Sequence, residues 1–251
     1  MNEAQNNKPE QDSGKLDIQN SGYINSVKKV PSQQDLIKKY KVKTVKQTDN
    51  SGLYISTYDK QGNLIATQYD NSDNKRYKYV FNKNGQIKTE KTLNKDGSSY
   101  LFKYEYGVEG KKISKTYMNS DGDTSVTMFE YNNESNTRKE LSSTGTDKEF
   151  YDNWGLRVRF ESYDEKGKLV GSGEAKYDKD GLKVSETSTI MGMNVNEVFE
   201  YNENGQLLKQ HRTGILDVYF LFEYDAKGLM LSTNNIKGET EDKTMYEYTF
   251  Y

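Results

Sequence analysis

The sequence lacks several residues on which proteins commonly depend for cross-linking or catalysis. Its 251 residues include no Cys, one His, one Trp and two Pro. Without Cys there can be no disulfide bond, thiolate nucleophile or Cys-ligated metal. One His leaves no second imidazole for a metal site and permits at most one Ser-His-Asp triad. We therefore predict a non-enzymatic protein with no catalytic residue, no metal and no cofactor.

Charge and hydropathy exclude two further classes. The 36 Lys+Arg and 38 Asp+Glu are interspersed and give a net charge of −2. This leaves no basic surface for phosphate backbones, so we expect no nucleic-acid partner. No run approaches the ~20 apolar residues that span a bilayer, and the first residues lack the basic and apolar regions of a signal peptide.

The N-terminal segment, residues 1–38, is predicted to be a flexible tether. Residues 2–22 are mostly Asn, Gln, Asp, Lys and Ser, with little to bury. Pro31 and a capping Ser32 could start one short helical turn after it. If the native gene encodes a lipoprotein signal before Met1, a lipid anchor at this end would be the protein's contact with a membrane.

One turn motif, by contrast, is abundant. Asx-x-x-Gly occurs eleven times between Asp49 and Gly238, and degenerate copies fill the gaps. Together they make about seventeen turns at a mean spacing of about 12 residues. The Asx side chain accepts a hydrogen bond from the backbone two residues on, and Gly takes the left-handed conformation that closes a three-residue hairpin loop.

Between the turns, residues alternate with a period of two, as in Tyr77-Lys78-Tyr79-Val80-Phe81. Such segments are typical of strands with one aromatic and one charged face. We predict an all-β fold over residues 39–251, a long antiparallel β-meander of about eighteen short strands. An aromatic residue precedes the Asx at every second turn, as at Tyr58 and Tyr201, so odd and even turns should lie at opposite edges.

The unit aromatic-Asx-x-x-Gly-x-Leu, as in Tyr58-Asp59-Lys60-Gln61-Gly62-Asn63-Leu64, resembles the YD repeats of bacterial RHS-like proteins. The resemblance extends from Asp49 to the C-terminus. It implies an exported or surface-associated bacterial protein whose strands form a spiralling sheet. Long family members build shells around a toxin domain, but this chain has far fewer repeats and no toxin-like C-terminal segment. The pattern is also similar to MORN-variant repeats of antitoxin-like proteins, which have more Gly.

The number of strands limits the shape that such a sheet can take. Twisted open sheets rarely exceed about ten strands without curling or splitting. We predict a curled or spiral, solenoid-like single sheet with its aromatic face inside. A closed barrel of eighteen strands would leave a lumen too wide for these side chains to fill. The first or the last strand, the latter ending in Tyr246–Tyr251, would then be free to pair with another chain.

Five residues are candidates for contact with a partner. Met191, Met193, Ile215 and Leu216 are apolar residues in two turns that are normally polar, and these turns should be neighbours on one edge. Trp154 lies at a turn tip on the opposite edge, where it could bind a partner or stack on a sugar.

Other motifs are interpreted structurally. His211 is expected to be an exposed residue in a turn. Asn119–Asp123 and Asp70–Asp73 resemble calcium loops but lack the downstream Glu of an EF-hand, so turn chemistry explains them better. A repeated row of glutamates should face lysines across strands on the outer surface; its members are Glu105, Glu130, Glu200, Glu223 and Glu247.

Three hypotheses follow for function. The first is a non-enzymatic extracytoplasmic binding or scaffold protein, tethered to the bacterial envelope in the periplasm or at the cell surface, with a protein or glycan partner. The alternative is a cytoplasmic immunity or antitoxin-like protein that masks a toxin. A glycan-active hydrolase with acidic residues inside the curled sheet is the third and has the least support.

Overall fold

The computed structural model describes residues 27–69, 74–107 and 109–251. One helix is followed by eighteen strands along the chain. The elements are α1 Gln33–Lys39, β1 Val42–Asp49, β2 Gly52–Tyr58, β3 Leu64–Tyr69, β4 Lys75–Phe81, β5 Ile87–Leu93, β6 Ser99–Tyr106, β7 Lys112–Asn119, β8 Thr124–Asn132, β9 Thr137–Ser142, β10 Gly145–Tyr151, β11 Arg157–Asp164, β12 Leu169–Tyr177, β13 Lys183–Ile190, β14 Met193–Tyr201, β15 Leu207–Thr213, β16 Val218–Tyr224, β17 Met230–Lys237 and β18 Thr240–Phe250. The all-β meander of about eighteen strands is confirmed.

The eighteen strands form a closed barrel, so the prediction of an open spiral sheet is wrong. Each strand pairs antiparallel with the next along the chain, and β1 also pairs with β18 from Val42↔Phe250 to Thr48↔Met245. Closure satisfies the backbone groups that two free edges would leave unpaired, which also removes the expected template for another chain. The predicted wide lumen did not prevent closure because aromatic and charged side chains occupy its wall and helix α1 packs at one end.

The turns have the predicted chemistry. In the β2–β3 turn, Asp59 Oδ1 accepts hydrogen bonds from the N–H groups of Gln61 and Asn63, at 2.9 and 2.8 Å. Gly62 has a φ of +79°, the left-handed conformation that Gly adopts without a steric penalty. The second bond, to the residue four positions on, was not predicted, and it fixes the entry into the following strand.

The aromatic residue before the Asx links neighbouring hairpins. Tyr201 Oη donates to the carbonyl of Lys183 at 2.8 Å, and Tyr224 Oη donates to the carbonyl of Leu207 at 2.9 Å. Tyr131 and Tyr177, also before an Asx, make the same bond, as do Tyr106 before Gly107 and Tyr248 before Thr249. The register shifts at four of these six tyrosines, as at Tyr201, so a bulge accompanies the bond at those four positions.

The barrel has two ends, which differ in how they are covered. The end with the turns that follow even-numbered strands is called the plug edge here, and the opposite end is the open edge. Helix α1 packs at the plug edge, where Leu36 and Ile37 are buried against Val42 and Leu229. Gln33 Nε2 donates to the carbonyl of Gly228 at 2.9 Å.

Residues 27–32, which precede α1, also cross the plug edge. Lys28 N donates to the carbonyl of Asp180 at 2.7 Å, in the β12–β13 turn. Val30 contacts the next turn, at Gly205. The predicted helical turn is thus present, with a capping box between Ser32 and Asp35, and the segment before it packs on the barrel. The remainder of the predicted tether, residues 1–26, lies outside the described residues.

The lumen wall divides into two sectors. In the aromatic sector, strands β1–β8 and β16–β18, Tyr and Phe rings face inward and contact each other, as Phe102 and Tyr117 do at 5.4 Å between ring centroids. In the charged sector, strands β9–β15, ion pairs line the wall. Arg138 and Glu149 lie 2.9 Å apart, and Lys183 and Glu186 lie 2.8 Å apart.

The outer face carries the predicted charge pairs. Glu200 lies 3.1 Å from Lys209, and Glu247 lies 3.3 Å from Lys46. A longer pair joins Glu130 to Lys139 at 3.8 Å. The other two members of the row accept hydrogen bonds from serine hydroxyls, Glu105 from Ser114 and Glu223 from Ser232. The cross-strand lysine partner is therefore confirmed at three of the five positions.

Candidate functional site

The predicted apolar residues meet at the open edge. Ile190, Met191 and Met193 belong to the β13–β14 hairpin, and Ile215 and Leu216 belong to the β15–β16 turn. All five are exposed, and Met191 is the most exposed at 79%. We call these five residues the apolar edge patch.

The two turns of the patch are in contact, as the sequence predicted for neighbouring turns. Gly214 has a φ of +115°, and a Cβ added to it would overlap the carbonyl oxygen of Asn194. Strand β15 also pairs with β14 up to Thr213↔Asn196. The apolar side chains of both turns are therefore held on one continuous part of the rim.

The backbone of the patch is unusual at Met191. Its φ is +50°, followed by +80° at Gly192, so both turn residues are left-handed. A two-residue turn of this kind strongly favours Asn-Gly, since the left-handed conformation costs other L-residues about 1–2 kcal/mol. Methionine at this position therefore makes the folded protein less stable than Asn would. Its side chain is directed to solvent.

Trp154 lies at the opposite end of the barrel. It occupies the tip of the β10–β11 turn at the plug edge and is 45% exposed. The Asp152 side chain holds this turn by accepting a hydrogen bond from Trp154 N at 2.9 Å. The structure therefore brings four of the five predicted contact residues together and places Trp154 apart from them, as the sequence predicted.

Two concave regions were not predicted. One, of about 460 Å³, lies on the outer face of β11–β14 and is lined by polar side chains that include Arg159, Glu174 and Asn196. The other, of about 560 Å³, opens at the plug edge between the β8–β9 and β10–β11 turns. We call the second one the turn pocket. Tyr131, Arg138, Tyr151 and Asp152 are among its lining residues.

The turn pocket brings together residues from three strands and three turns. Tyr151 N donates to the carbonyl of Asn136 at 2.9 Å, which ties the β8–β9 and β10–β11 turns to each other. Asn136 has a φ of +47° and takes the left-handed place that Gly holds in other turns. Burial, followed by the hydrogen bond to Glu149, raises the pKa of Tyr151 to about 12.

The sequence of the β10–β11 turn carries only a non-specific signal of this pocket. In five of the Asx turns the residue four positions on is polar and pairs with the second side-chain atom of the Asx, as Asn63 does with Asp59 at 2.9 Å. After Asp152 that residue is Leu156, which cannot pair with a carboxylate, but Asp178 and Asp225 are likewise followed by a Leu at this position. Lining residues from distant turns carry no comparable signal, because only barrel closure sets their positions.

His211 and the calcium-like loop have structural partners. His211 lies in strand β15, not in a turn as predicted, because the turn begins later, at Gly214. Its ring stacks on Tyr219 with centroids 4.0 Å apart, and Nε2 lies 2.7 Å from Asp217 Oδ1. Asn119 Oδ1 accepts from the backbone N–H of Asp123 at 2.8 Å, which confirms the turn interpretation.

The described residues contain no group of three or more His, Asp or Glu side chains placed to hold a metal ion. The similar segment Asp70–Asp73 falls outside these residues. The one described helix, α1, is too short to cross a membrane.

Comparisons with known proteins give weak structural likenesses. No family model matches the sequence, and neither does any curated protein. A porin-like protein from Bacteroides uniformis has a TM-score of 0.45 at 9% identity, covering 83% of this chain and 98% of that chain. A porin-like protein from Bacteroides vulgatus has a TM-score of 0.39 at 10% identity, with the same coverage.

A Photorhabdus luminescens Tc holotoxin pore has a TM-score of 0.32 at 10% identity, covering 74% of this chain and 14% of that chain. The barrel fold rests on this chain's own strand pairing, and the resemblance to YD repeats stays a prediction.

Proposed function

We propose that this protein is a non-enzymatic binding protein of the bacterial envelope that contacts a partner protein through the apolar edge patch. The observation that carries the proposal is Met191, an exposed apolar side chain in a left-handed position. Folding alone favours Asn there, so a role in binding accounts for the methionine. Contiguous exposed apolar residues are typical of interaction surfaces.

Charges on the outer face support a barrel surrounded by water. In a barrel embedded in lipid, the outward residues form an apolar band about 25 Å tall. Here ion pairs such as Lys46–Glu247 and Lys209–Glu200 lie on outward faces within the strands. We propose an extracytoplasmic location at the envelope, with attachment through the N-terminal segment, in keeping with the family resemblance.

Substitution of Met191 by Asn tests the proposal with two effects of opposite sign. We expect Met191→Asn to raise the free energy of unfolding by about 1 kcal/mol, because Asn tolerates the left-handed backbone. The same variant should lose capture of the partner from envelope extracts. Denaturant unfolding and affinity capture with mass spectrometry measure the two effects.

Leu231→Ser is the matched control, since Leu231 is 40% exposed at the start of β17, near the plug edge and away from the patch. The Leu231→Ser variant should still capture the partner from envelope extracts. A second variant carries Met191→Ser, Met193→Ser, Ile215→Ser and Leu216→Ser. Unchanged capture by both patch variants would refute the proposal. Capture of a partner from cytoplasmic extract alone would favour the immunity hypothesis instead.

A further inference from the structure

Asp152, in the wall of the turn pocket, has a buried carboxylate oxygen without a partner. Asp152 is 4% exposed, and its Oδ1 accepts from the N–H groups of Trp154 and Leu156, both at 2.9 Å. Its Oδ2 has no hydrogen-bond partner among the described residues. A buried polar atom left without a partner is destabilising by about 1–3 kcal/mol, and more when it is charged.

Other Asx turns show that this is not a property of the motif. Asn202 Nδ2 donates to Gln206 Oε1 at 2.9 Å, and Asn82 Nδ2 donates to Gln86 Oε1 at 3.0 Å. Asp178 and Asp225 also precede a Leu at the fourth position, but both are only partly buried. Asp152 thus combines full burial, an apolar neighbour and a place in the wall of a cavity.

Arg138, which lies in the wall of the same cavity, has an unpartnered donor. Arg138 Nη2 lies 2.9 Å from Glu149 Oε2, whereas the buried Arg138 Nε has no partner among the described residues. Lys111, the other cation of the lining, lies 2.8 Å from Glu109 and donates to Asn133 Oδ1 at 3.1 Å. Both cations are therefore already neutralised, so the pocket does not call for an anion.

A ligand that satisfies both atoms must donate to Asp152 and accept from Arg138. An ammonium group can only donate, and a carboxylate can only accept, whereas a hydroxyl does both. The Tyr131 and Tyr151 rings add aromatic surface to the wall, and the volume of about 560 Å³ is within the usual range for small-molecule sites.

We propose that the turn pocket binds a neutral saccharide, with Asp152 accepting from and Arg138 donating to its hydroxyl groups. The site is separate from the apolar edge patch, because the two lie at opposite ends of the barrel.

The protein carries its own reporter for this test. Trp154 is the only Trp in the chain, and its sequence neighbours Asn153 and Gly155 both line the pocket. The full chain is titrated with maltotriose, cellotriose, chitotriose and mannotriose while Trp154 fluorescence is recorded. Calorimetry in parallel detects binding that leaves the fluorescence unchanged. We expect saturable binding of at least one trisaccharide.

Asp152→Asn is the decisive variant. Asn keeps the turn, as Asn82 and Asn202 show, but replaces the buried charged acceptor with a donor amide. We expect the affinity for the trisaccharide to fall at least about tenfold. Asp178→Asn makes the same change in the matched turn followed by Leu182, and Met191→Asn alters only the open edge. Both controls should bind like the unaltered protein.

Any one of three results would overturn the proposal. The first is the absence of both a fluorescence change and a heat of binding with all four trisaccharides at millimolar concentration. The second is unchanged affinity in Asp152→Asn, and the third is binding of putrescine or acetate in place of the saccharides. Loss of partner capture in Met191→Asn with normal saccharide binding would separate this proposal from the proposed function.

Discussion

The aromatic and charged sectors solve the same problem in different ways. In the aromatic sector, rings such as Phe102 and Tyr117 cover each other at 5.4 Å, and helix α1 packs over Val42 and Leu229. In the charged sector, Glu186 lies between Arg157 and Lys183, at 3.3 and 2.8 Å. One sector removes apolar surface from water, and the other pairs charges within a partly solvated wall.

Both candidate sites lie beside the charged sector. The described N-terminal residues cover the plug edge from the β12–β13 turn to the β2–β3 turn. The turn pocket opens elsewhere on this edge, at β8–β11, and the apolar edge patch lies at β13–β16. Both sites therefore border the charged sector, away from the packed core around Leu229.

The largest expected effect is loss of the fold at high pH, because it acts on many aromatic residues together. Burial is the main cause that raises the pKa of Tyr79 and of Tyr201 to about 12, and it also raises the pKa of Tyr104 and Tyr248. An unfolded tyrosine ionises near pH 10, before the folded one, so this stabilisation is complete below pH 10 and is lost as pH rises toward 12.

Denaturant unfolding from pH 8 to 12, with phenolate absorbance recorded in parallel, measures this loss. Phenols that titrate near pH 10 without a change in the free energy of unfolding would show that the rings are not packed as described.

Glu186→Gln should give the next largest effect and tests the charged sector. The Glu186 side chain is 11% exposed, and its removal leaves Arg157 and Lys183 without this partner. We expect a loss of about 2 kcal/mol in the free energy of unfolding, below the value for a fully buried pair because both cations retain some solvent. Urea unfolding measures it.

Glu200→Gln provides the matched control on the outer face. Glu200 is 60% exposed beside Lys209, so its loss should change stability by under about 0.5 kcal/mol. Equal effects of the two substitutions would remove the distinction between lumen and outer face in this sector.

Tyr201→Phe should have the smallest effect. It deletes the hydroxyl that donates to the carbonyl of Lys183 and keeps the ring. A loss of about 1 kcal/mol is expected, the usual contribution of one hydrogen bond. Tyr224→Phe tests the same bond in the aromatic sector, and the two values should agree. A change near zero in both variants would show that the links between hairpins do not stabilise the barrel.

Local features of this fold could be predicted because each has a local cause. The Asx-x-x-Gly turns follow from side chains that bond their own backbone, and Asp59 and Gly62 behave as expected. The alternation of Tyr77 and Lys78 shows which strand face is buried. The contact between the turns at Gly214 and Asn194 followed from counting hairpins.

Long-range features could not be predicted in the same way. Whether β1 meets β18 depends on the twist and stagger accumulated over eighteen strands, which no short motif encodes. The turn pocket joins Tyr131 and Asp152 only because closure curves β8–β11 into a wall. His211 was misplaced because Gly214 marks a turn that begins later than the repeat spacing indicates.

Barrel closure is tested most directly by a disulfide between β1 and β18. Thr44 and Thr249 are register partners whose Oγ1 atoms lie 2.6 Å apart on the outer face. The chain has no Cys, so Thr44→Cys with Thr249→Cys introduces the only pair. Thr44→Cys with Thr187→Cys, on a distant strand, is the control.

If the barrel is closed, we expect Thr44→Cys with Thr249→Cys to form an intramolecular disulfide rapidly under mild oxidation. The control variant should form none. Thiols that stay reduced in Thr44→Cys with Thr249→Cys, or cross-links that form only between chains, would contradict barrel closure.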